Sequence, residues 1–595
     1  MIKTPGISRI GDSMKKMHVF VLLILPAILV FTAAILYYAH GPYWIGYNSD
    51  PEYLYLVNSL ALAESKETPT TGNPGTTLQM LGAATLKISH ALDFSEKESL
   101  EISVLKNSEY YLTIINIILI IINTCLLFII GLTVFTLTKN IWLSLLLQFS
   151  PFLSNGTLTQ GLSRISPEPL LLCAGLLFLL ILVKMVFNKN LYKSTHWDMI
   201  ALALVSGFGM ATKLTFLPLL IIPLFVLQKL RNKIGFLFLT GISFILWTWP
   251  IIPQYKTLFE WYYRILTHTG YYGLGNVGII NLEVYLENMT FHFLCNPLFF
   301  FIWFFAAGFI LRFIWFSATR KKSWQDTSFR ILVAVTVAQL CAILIVAKYP
   351  VERYLLPALS LSGFMLFLIF VYLRRLDCFS RFEIRKVVLF VAIFFILISA
   401  WRIYDIKNVF TQKLQIKQES LAIYNKLEDE YKNYLKISYS FPSFRSSSPA
   451  AALALGNFFI GNGLYSESLQ KIYGESYFYN GVSGIFNTWT KEFSIEDIIL
   501  KGHGDKVILY GTPLHMYSNN KIICTTDSNS STWKRWWSIE DIILKDNGDK
   551  LPCMTGSILH LKVIFAGEHE AVYIIEGITI DAGKFHAFTF SPCER

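Results

Sequence analysis

Long apolar runs alternate with short polar loops through the first 400 residues. The first run, 19–39, follows a basic N-terminal segment. Others follow at about 111–137, 141–153, 167–187, 198–212, 214–227, 234–252, 293–316, 329–347, 355–373 and 386–401. About 18 apolar residues suffice for a helix to cross a bilayer. The pattern therefore predicts an all-α polytopic membrane bundle of about eleven spans over residues 1–401. The run at 141–153 and the pair split by Lys213 are short for full crossings.

One polar stretch, 40–110, stands apart as a large first loop. It carries two short helical patterns. The first runs from residue 51 to about 63, with Leu54, Val57, Leu60 and Ala61 on one side. The second follows the turn GNPG (72–75) and carries Leu78, Leu81, Ala84 and Ile88. Neither is long enough to span, and both are expected to lie at the bilayer surface.

From about residue 402 the hydrophobicity drops and the patterns become those of a soluble α/β domain, 402–595. A helix is expected over 406–435 and a strand at KVILYG (506–511). The segment TWTKEFSIEDIILKGHGDK from Thr488 returns as TWKRWWSIEDIILKDNGDK from Thr532. Each copy reads as a helix capped near the Ser of SIED and ended by Gly. Two copies point to a duplicated small unit rather than a solenoid. No catalytic constellation is visible in this tail.

Composition agrees: 54% of the 595 residues are hydrophobic, too many for a soluble chain of this length. The net charge of +11 lies in the membrane part, where 31 Lys and Arg face 19 Asp and Glu; the tail has 20 against 21. The basic balance thus reflects topology and gives no reason to expect nucleic acid. Twenty-one of those 31 cations fall in alternate loops, so the positive-inside rule puts the N-terminus in the cytoplasm. The 40–110 loop, the 253–292 loop and the tail then share the other face, periplasmic if the membrane is a bacterial inner membrane, which the Lys- and Ile-rich chain with compact loops favours. The first run lacks a small-residue cleavage site before Tyr37, Tyr38 and His40, and reads as a retained anchor, with a removed signal peptide as the alternative. Met14 offers a second start. Cys125, Cys173, Cys295 and Cys341 are expected to be packing residues. Cys378 falls in a basic loop, and Cys524, Cys553 and Cys593 allow one disulfide and one thiol. No spacing suggests a metal site.

The candidate chemistry gathers at the non-cytoplasmic ends of the spans. YNSDPEYLYL (47–56) holds Asp50 and Glu52. Asp50-Pro51-Glu52 is also a good helix start, with Asp50 as N-cap. Arg164 and Glu168 lie in GLSRISPEPLLL, and Lys213 in GFGMATKLTFLPLL. Lys348, Glu352 and Arg353 lie in AKYPVERYLLPAL, and His268 and Tyr271 in THTGYYGLGNVG. An ionisable group at membrane depth is costly and faces a cavity or a partner, unless it snorkels to the interface. Carboxylates, cations and Tyr hydroxyls on one face suit transfer of a sugar from a polyprenyl phosphate. A carboxylate takes the acceptor hydroxyl's proton as it attacks the sugar C1. Cations meet the phosphate as its charge grows in the transition state.

This set of motifs resembles the C-type glycosyltransferases (GT-C), particularly the branch of protein O-mannosyltransferases and lipid A aminoarabinose transferases. SDPEYLYL, GNPGTTLQML, GFGMATKLTFLPLL and RYLLP match in order over about 400 residues. The resemblance implies Asp50 as base with Glu52 in reserve. It implies Lys213, Lys348, Arg353 and Arg164 at the donor phosphate, and Tyr53, Asn73, His268, Tyr271 and Tyr354 near the substrates. The expected partners are a polyprenyl-phosphate-linked sugar, a glycan, lipid or protein acceptor, and the bilayer. Nothing in the residues requires a metal, although some enzymes of this fold use a divalent ion. Many relatives carry His-Pro where this chain has Asn73-Pro74, which puts an acid–base role there in doubt. The tail matches no accessory domain of the family. The alternatives are a transporter or flippase, a non-catalytic assembly protein of cell-envelope glycan synthesis, and an O-antigen ligase or polymerase acting on a diphosphate donor. A transporter should place polar groups mid-span in two related halves, and no such repeat is visible.

Overall fold

The computed structural model describes residues 6–45, 51–68, 72–93, 98–162, 164–187, 196–269, 276–315, 324, 326–349, 351–375, 381–440, 448–459, 463–480, 485–493, 506–511, 549–552, 557–566 and 571–580. Asp50, Tyr271, Cys378, Cys524, Cys553, Cys593 and both SIEDIILK copies lie outside the described residues.

Among the described residues, seven helices are long and apolar enough to cross a membrane: Met17–His40, Ser108–Thr138, Pro167–Phe187, Leu230–Thr267, Pro297–Trp315, Thr327–Val346 and Glu352–Arg375. The chain is a multi-pass membrane protein. Of the four remaining apolar runs, three are short or broken and one lies inside a longer helix. Residues 141–153 split into the helix Ile141–Gln148 and a 3-10 turn, Ser150–Leu153, with Pro151 at its start. His196–Thr212 stops at Lys213, and Leu214–Leu220 is 3-10 before a single α-turn, Ile221–Val226. Residues 386–401 fall within a 49-residue helix, Arg381–Asp429, which runs on without a break at residue 401. That helix ends six residues before the expected position.

Two compact units are formed, one of residues 1–39, 61–85 and 111–411, the other of 40–60, 86–110 and 412–595. In the first, three spans are enclosed: Glu352–Arg375, Pro167–Phe187 and Thr327–Val346 are 83%, 72% and 67% buried over their apolar windows. The other four are buried over no more than 39%. They turn Phe20, Phe31, Ile121, Phe238, Leu246 and Phe304 outward, as helices that face lipid do. Polar side chains tie the bundle together. Gln148 donates to the Leu22 and Leu127 carbonyls at 3.0 and 3.1 Å. At one end, Arg375 donates to Asp326 at 3.0 Å and to the Val186 carbonyl at 2.7 Å. Such bonds replace the water that hydrocarbon cannot supply. Of the four described cysteines, all free thiols, Cys173 is buried while Cys125 and Cys295 are exposed. The last two are not the packing residues expected.

The second unit contains an eight-stranded sheet. Its strands are β1 (Leu435–Ser440), β2 (Tyr477–Asn480), β3 (Ile485–Asn487), β4 (Glu492–Phe493), β5 (Val507–Gly511), β6 (Asp549–Pro552), β7 (Ser557–Ala566) and β8 (Ala571–Ile580). They lie in the order β4-β3-β2-β1-β5-β8-β7-β6. β1 pairs in parallel with β2 and β5, with Ile437 opposite Tyr477 and Leu509, and the outer pairings are antiparallel. The β1–β2 crossover contains the helices Pro449–Phe459 and Ser466–Tyr473, as a parallel pair requires. All five residues of β5 are buried, and both sheet faces are covered. Ile437, Tyr479, Leu509 and Tyr573 pack on one side. Ile508, Tyr510 and Val572 meet Ile423 and Leu427 of the long helix on the other.

The two helices of the 40–110 stretch form at Glu52–Ala63 and Thr76–Leu92. The first is not the half-exposed surface helix expected: every residue from 51 to 61 is buried.

Candidate functional site

The site in the first unit is organised by a helix that stops short. In GFGMATKLTFLP, Gly207 and Gly209 leave no side chain where neighbours press in. A Cβ on Gly207 would lie 2.4 Å from that of Ser243, and one on Gly209 would lie 2.6 Å from the Phe216 ring. Phe216 folds back over Gly209, and the helix ends at Thr212. Lys213 is extended (φ −161°, ψ 137°) and pairs as an isolated β-bridge with Pro74 of GNPG. The Leu214 amide donates to the Asn73 carbonyl at 3.0 Å. The hydroxyls of Thr77 and Thr212 meet at 2.8 Å. Two motifs that lie 140 residues apart are thus one local structure.

Lys213 has nowhere to snorkel. Its side chain is 5% exposed and its ammonium lies 2.5 Å from Glu168, which is 2% exposed, at the first turn of Pro167–Phe187. The Arg353 Nε lies 3.8 Å from the same Glu168 oxygen, and the Arg353 side chain as a whole is 32% exposed. The Tyr354 ring lies 4.6 Å beneath the Lys213 ammonium. Two cations therefore share one buried carboxylate at the N-terminal ends of two enclosed spans. Arg353 is the more accessible of the two. This arrangement can hold an anion, and a guanidinium matches a phosphate in geometry.

Lys348 points elsewhere. Its ammonium donates to the Ile265 carbonyl at 2.5 Å, and to those of Leu266 and His268 at 3.4 and 3.3 Å. It closes the C-terminal end of the helix Tyr255–Thr267, a favourable place for a cation. Burial holds its pKa below the ordinary lysine range. His268 contacts Thr267 through Nδ1 at 3.0 Å and bridges to Val277. Glu352 accepts from the Gly156 amide at 3.1 Å. Arg164 is buried just before Pro167–Phe187. Among the expected donor residues, then, the structure brings Lys213, Arg353 and Tyr354 together. Lys348 joins His268 at a helix end, and Asn73 contributes its backbone to the Lys213 break.

In the second unit, Glu52 is fully buried in the first turn of its helix. Tyr53 donates to Glu109 at 2.6 Å, and the Tyr43 and Trp44 amides donate to the same carboxylate at 2.8 and 3.2 Å. Burial, and then the charge of Glu109, hold the Tyr53 hydroxyl well above the usual tyrosine pKa. Glu109 so ties together both chain segments that flank residues 46–50. Sequence reading missed this clamp, and it missed Arg402. Arg402 donates to the Phe152 and Leu153 carbonyls at 3.1 and 2.7 Å and to Asp405 at 2.6 Å. The signal for Arg402 was an Arg and an Asp one helical turn apart at a span end. Among the described residues no three His, Cys, Asp or Glu side chains are grouped to hold a metal ion.

Fold and site together define a multi-pass membrane protein with a buried, cation-rich cluster where its enclosed spans begin. No family model matches the chain, and no curated protein matches it. Among solved structures it is similar to the crystal structure of ArnT from Cupriavidus metallidurans bound to undecaprenyl phosphate, covering 92% of this chain and 97% of that one, at 9% identity and a TM-score of 0.40.

Proposed function

We propose that the protein is a membrane glycosyltransferase that moves a sugar from a polyprenyl-phosphate donor to a hydroxyl acceptor at the extracytoplasmic face. The observation that carries this reading is the pair of cations, Lys213 and Arg353, held on Glu168 where two enclosed spans begin. A lipid-borne phosphate at the bilayer edge would meet Arg353 directly, with Lys213 behind it. As the bond between the sugar C1 and the phosphate oxygen breaks, charge grows on the phosphate and the fixed cations stabilise it most at that moment. Asp50 is the base that takes the acceptor's proton, with Glu52 in reserve. Arg164 adds to the cationic surroundings, and Asn73, His268, Tyr271 and Tyr354 contact the substrates, whereas Lys348 holds the end of the helix Tyr255–Thr267 and Tyr53 is held on Glu109. The topology is about eleven spans in a bacterial inner membrane, N-terminus cytoplasmic and residues 402–595 periplasmic.

The test is equilibrium binding of a fluorescent short-chain polyprenyl phosphate to the purified protein. Arg353→Ala is expected to weaken binding about 10- to 100-fold, the worth of one charged hydrogen bond of roughly 1.5–3 kcal/mol. Asp50→Asn should bind the lipid as wild type does and abolish transfer. Unaltered affinity in Arg353→Ala would remove it from the site. A misfolded Asp50→Asn would make Asp50 a helix cap.

A further inference from the structure

The second unit contains a cleft of about 380 Å³, within the roughly 300–1,000 Å³ range of small-molecule sites. Its walls include five tyrosines: Tyr424, Tyr434, Tyr473, Tyr477 and Tyr510. They come from the end of the long helix, the approach to β1, the approach to β2, the start of β2, and β5. All but Tyr510 are half-buried, so each keeps part of its ring or hydroxyl accessible. Other aromatic rings back three of them. Tyr424 packs on Trp44 at 5.1 Å, Tyr434 on Tyr431 at 5.2 Å, and Tyr477 edge-on to Phe493 at 5.3 Å. The Tyr473 hydroxyl is tied to the Leu105 carbonyl at 3.1 Å, and that of Tyr510 to Ser448 at 3.4 Å. Rings fixed in this way lose little freedom when a ligand arrives.

The charges on the same walls restrict the ligand. Glu428, Glu475, Lys432 and Lys436 balance, and Lys436 is paired with Glu428 at 2.8 Å. A phosphate or nucleic-acid site would need an excess of cations beside the stacking rings. A purely apolar ligand would make no use of the polar groups on these walls and would take water from them without replacing its hydrogen bonds. A sugar has apolar C–H faces for the electron-rich face of a tyrosine ring, and a rim of hydroxyls that both donate and accept. It satisfies rings and mixed charges together.

We propose that this cleft binds a saccharide, the terminal residues of the acceptor glycan. The acceptor role rests on the glycosyltransferase reading; saccharide binding itself does not. The full-length protein in detergent micelles, without donor, is applied to an array of immobilised oligosaccharides with hexose, N-acetylhexosamine and uronic acid termini. Binding to at least one class is expected, with Tyr434→Ala and Tyr477→Ala each weakening it about tenfold. Both variants should keep the wild-type melting temperature and polyprenyl-phosphate affinity, which sets a lost site apart from a lost fold. Tyr477→Phe should retain most of the affinity, because the ring remains. No binding to any glycan, or binding unchanged in the double variant Tyr434→Ala/Tyr477→Ala, would overturn the proposal. So would release of the glycan by millimolar inorganic phosphate. Glycan binding by a protein that transfers no sugar would refute the acceptor role and the transferase reading and leave the saccharide site standing. Transfer without glycan binding would do the reverse.

Discussion

Lys213, Glu168 and Arg353 meet although a bilayer makes each of them costly alone. Glu168 and Lys213 lie 2.5 Å apart and are nearly inaccessible. Removing one partner of a buried ion pair strands the other, at about 3–5 kcal/mol. Glu168→Gln is therefore expected to lower the melting temperature sharply, and Lys213→Met to do so by a similar amount. The double variant Glu168→Leu/Lys213→Met removes both charges and should recover most of the stability, since apolar replacement of a buried pair is often neutral. If the pair also serves the donor phosphate, the double variant will fold and still transfer no sugar. Thermal unfolding and a transfer assay on the same samples separate the two roles. A double variant with full activity would make the pair purely structural. The sequence exposed these residues singly, as charges at span ends. It could not show which of them pair, because the contact depends on packing between helices 45 and 185 residues apart.

At the scale of elements, the break at Lys213 depends on small residues before it. Gly209→Ala would put a methyl 2.6 Å from the Phe216 ring. Overpacking of this kind costs roughly 1–3 kcal/mol; the variant should melt lower and bind polyprenyl phosphate more weakly, because Lys213 follows the displaced turn. The clamp at Glu109 belongs to the same scale. Glu109→Ala deletes the acceptor for Tyr43, Trp44 and Tyr53, and each buried donor left without a partner costs about 1–3 kcal/mol. Faster amide exchange in residues 43–55 is the check; unchanged exchange would dismiss the clamp. Much at this scale was legible. Seven strongly apolar runs are helices, because hydrocarbon leaves the backbone no other way to satisfy its bonds. Lys213 announced its break, and β5 its continuous apolar run, the mark of a strand buried on both faces. Burial of residues 51–61 was not legible, since polar positions such as Asn58 and Ser59 read as solvent-facing, yet both are buried. The charged pattern after Lys426 likewise suggested helix up to Leu435, where β1 begins instead.

For the whole molecule, the proposed transferase reading implies chemistry at the membrane edge, where the enclosed spans and their paired charges begin, rather than transport through its middle. The measurement that bears most directly on this is transfer of radiolabelled sugar from membrane-extracted polyprenyl-phosphate donors by the purified protein, run beside Asp50→Asn and Glu168→Leu/Lys213→Met. The expected result is transfer by wild type alone, with free polyprenyl phosphate released in step with it, from samples that are all folded. Absence of transfer from every monophosphate donor by a folded wild type would contradict the account.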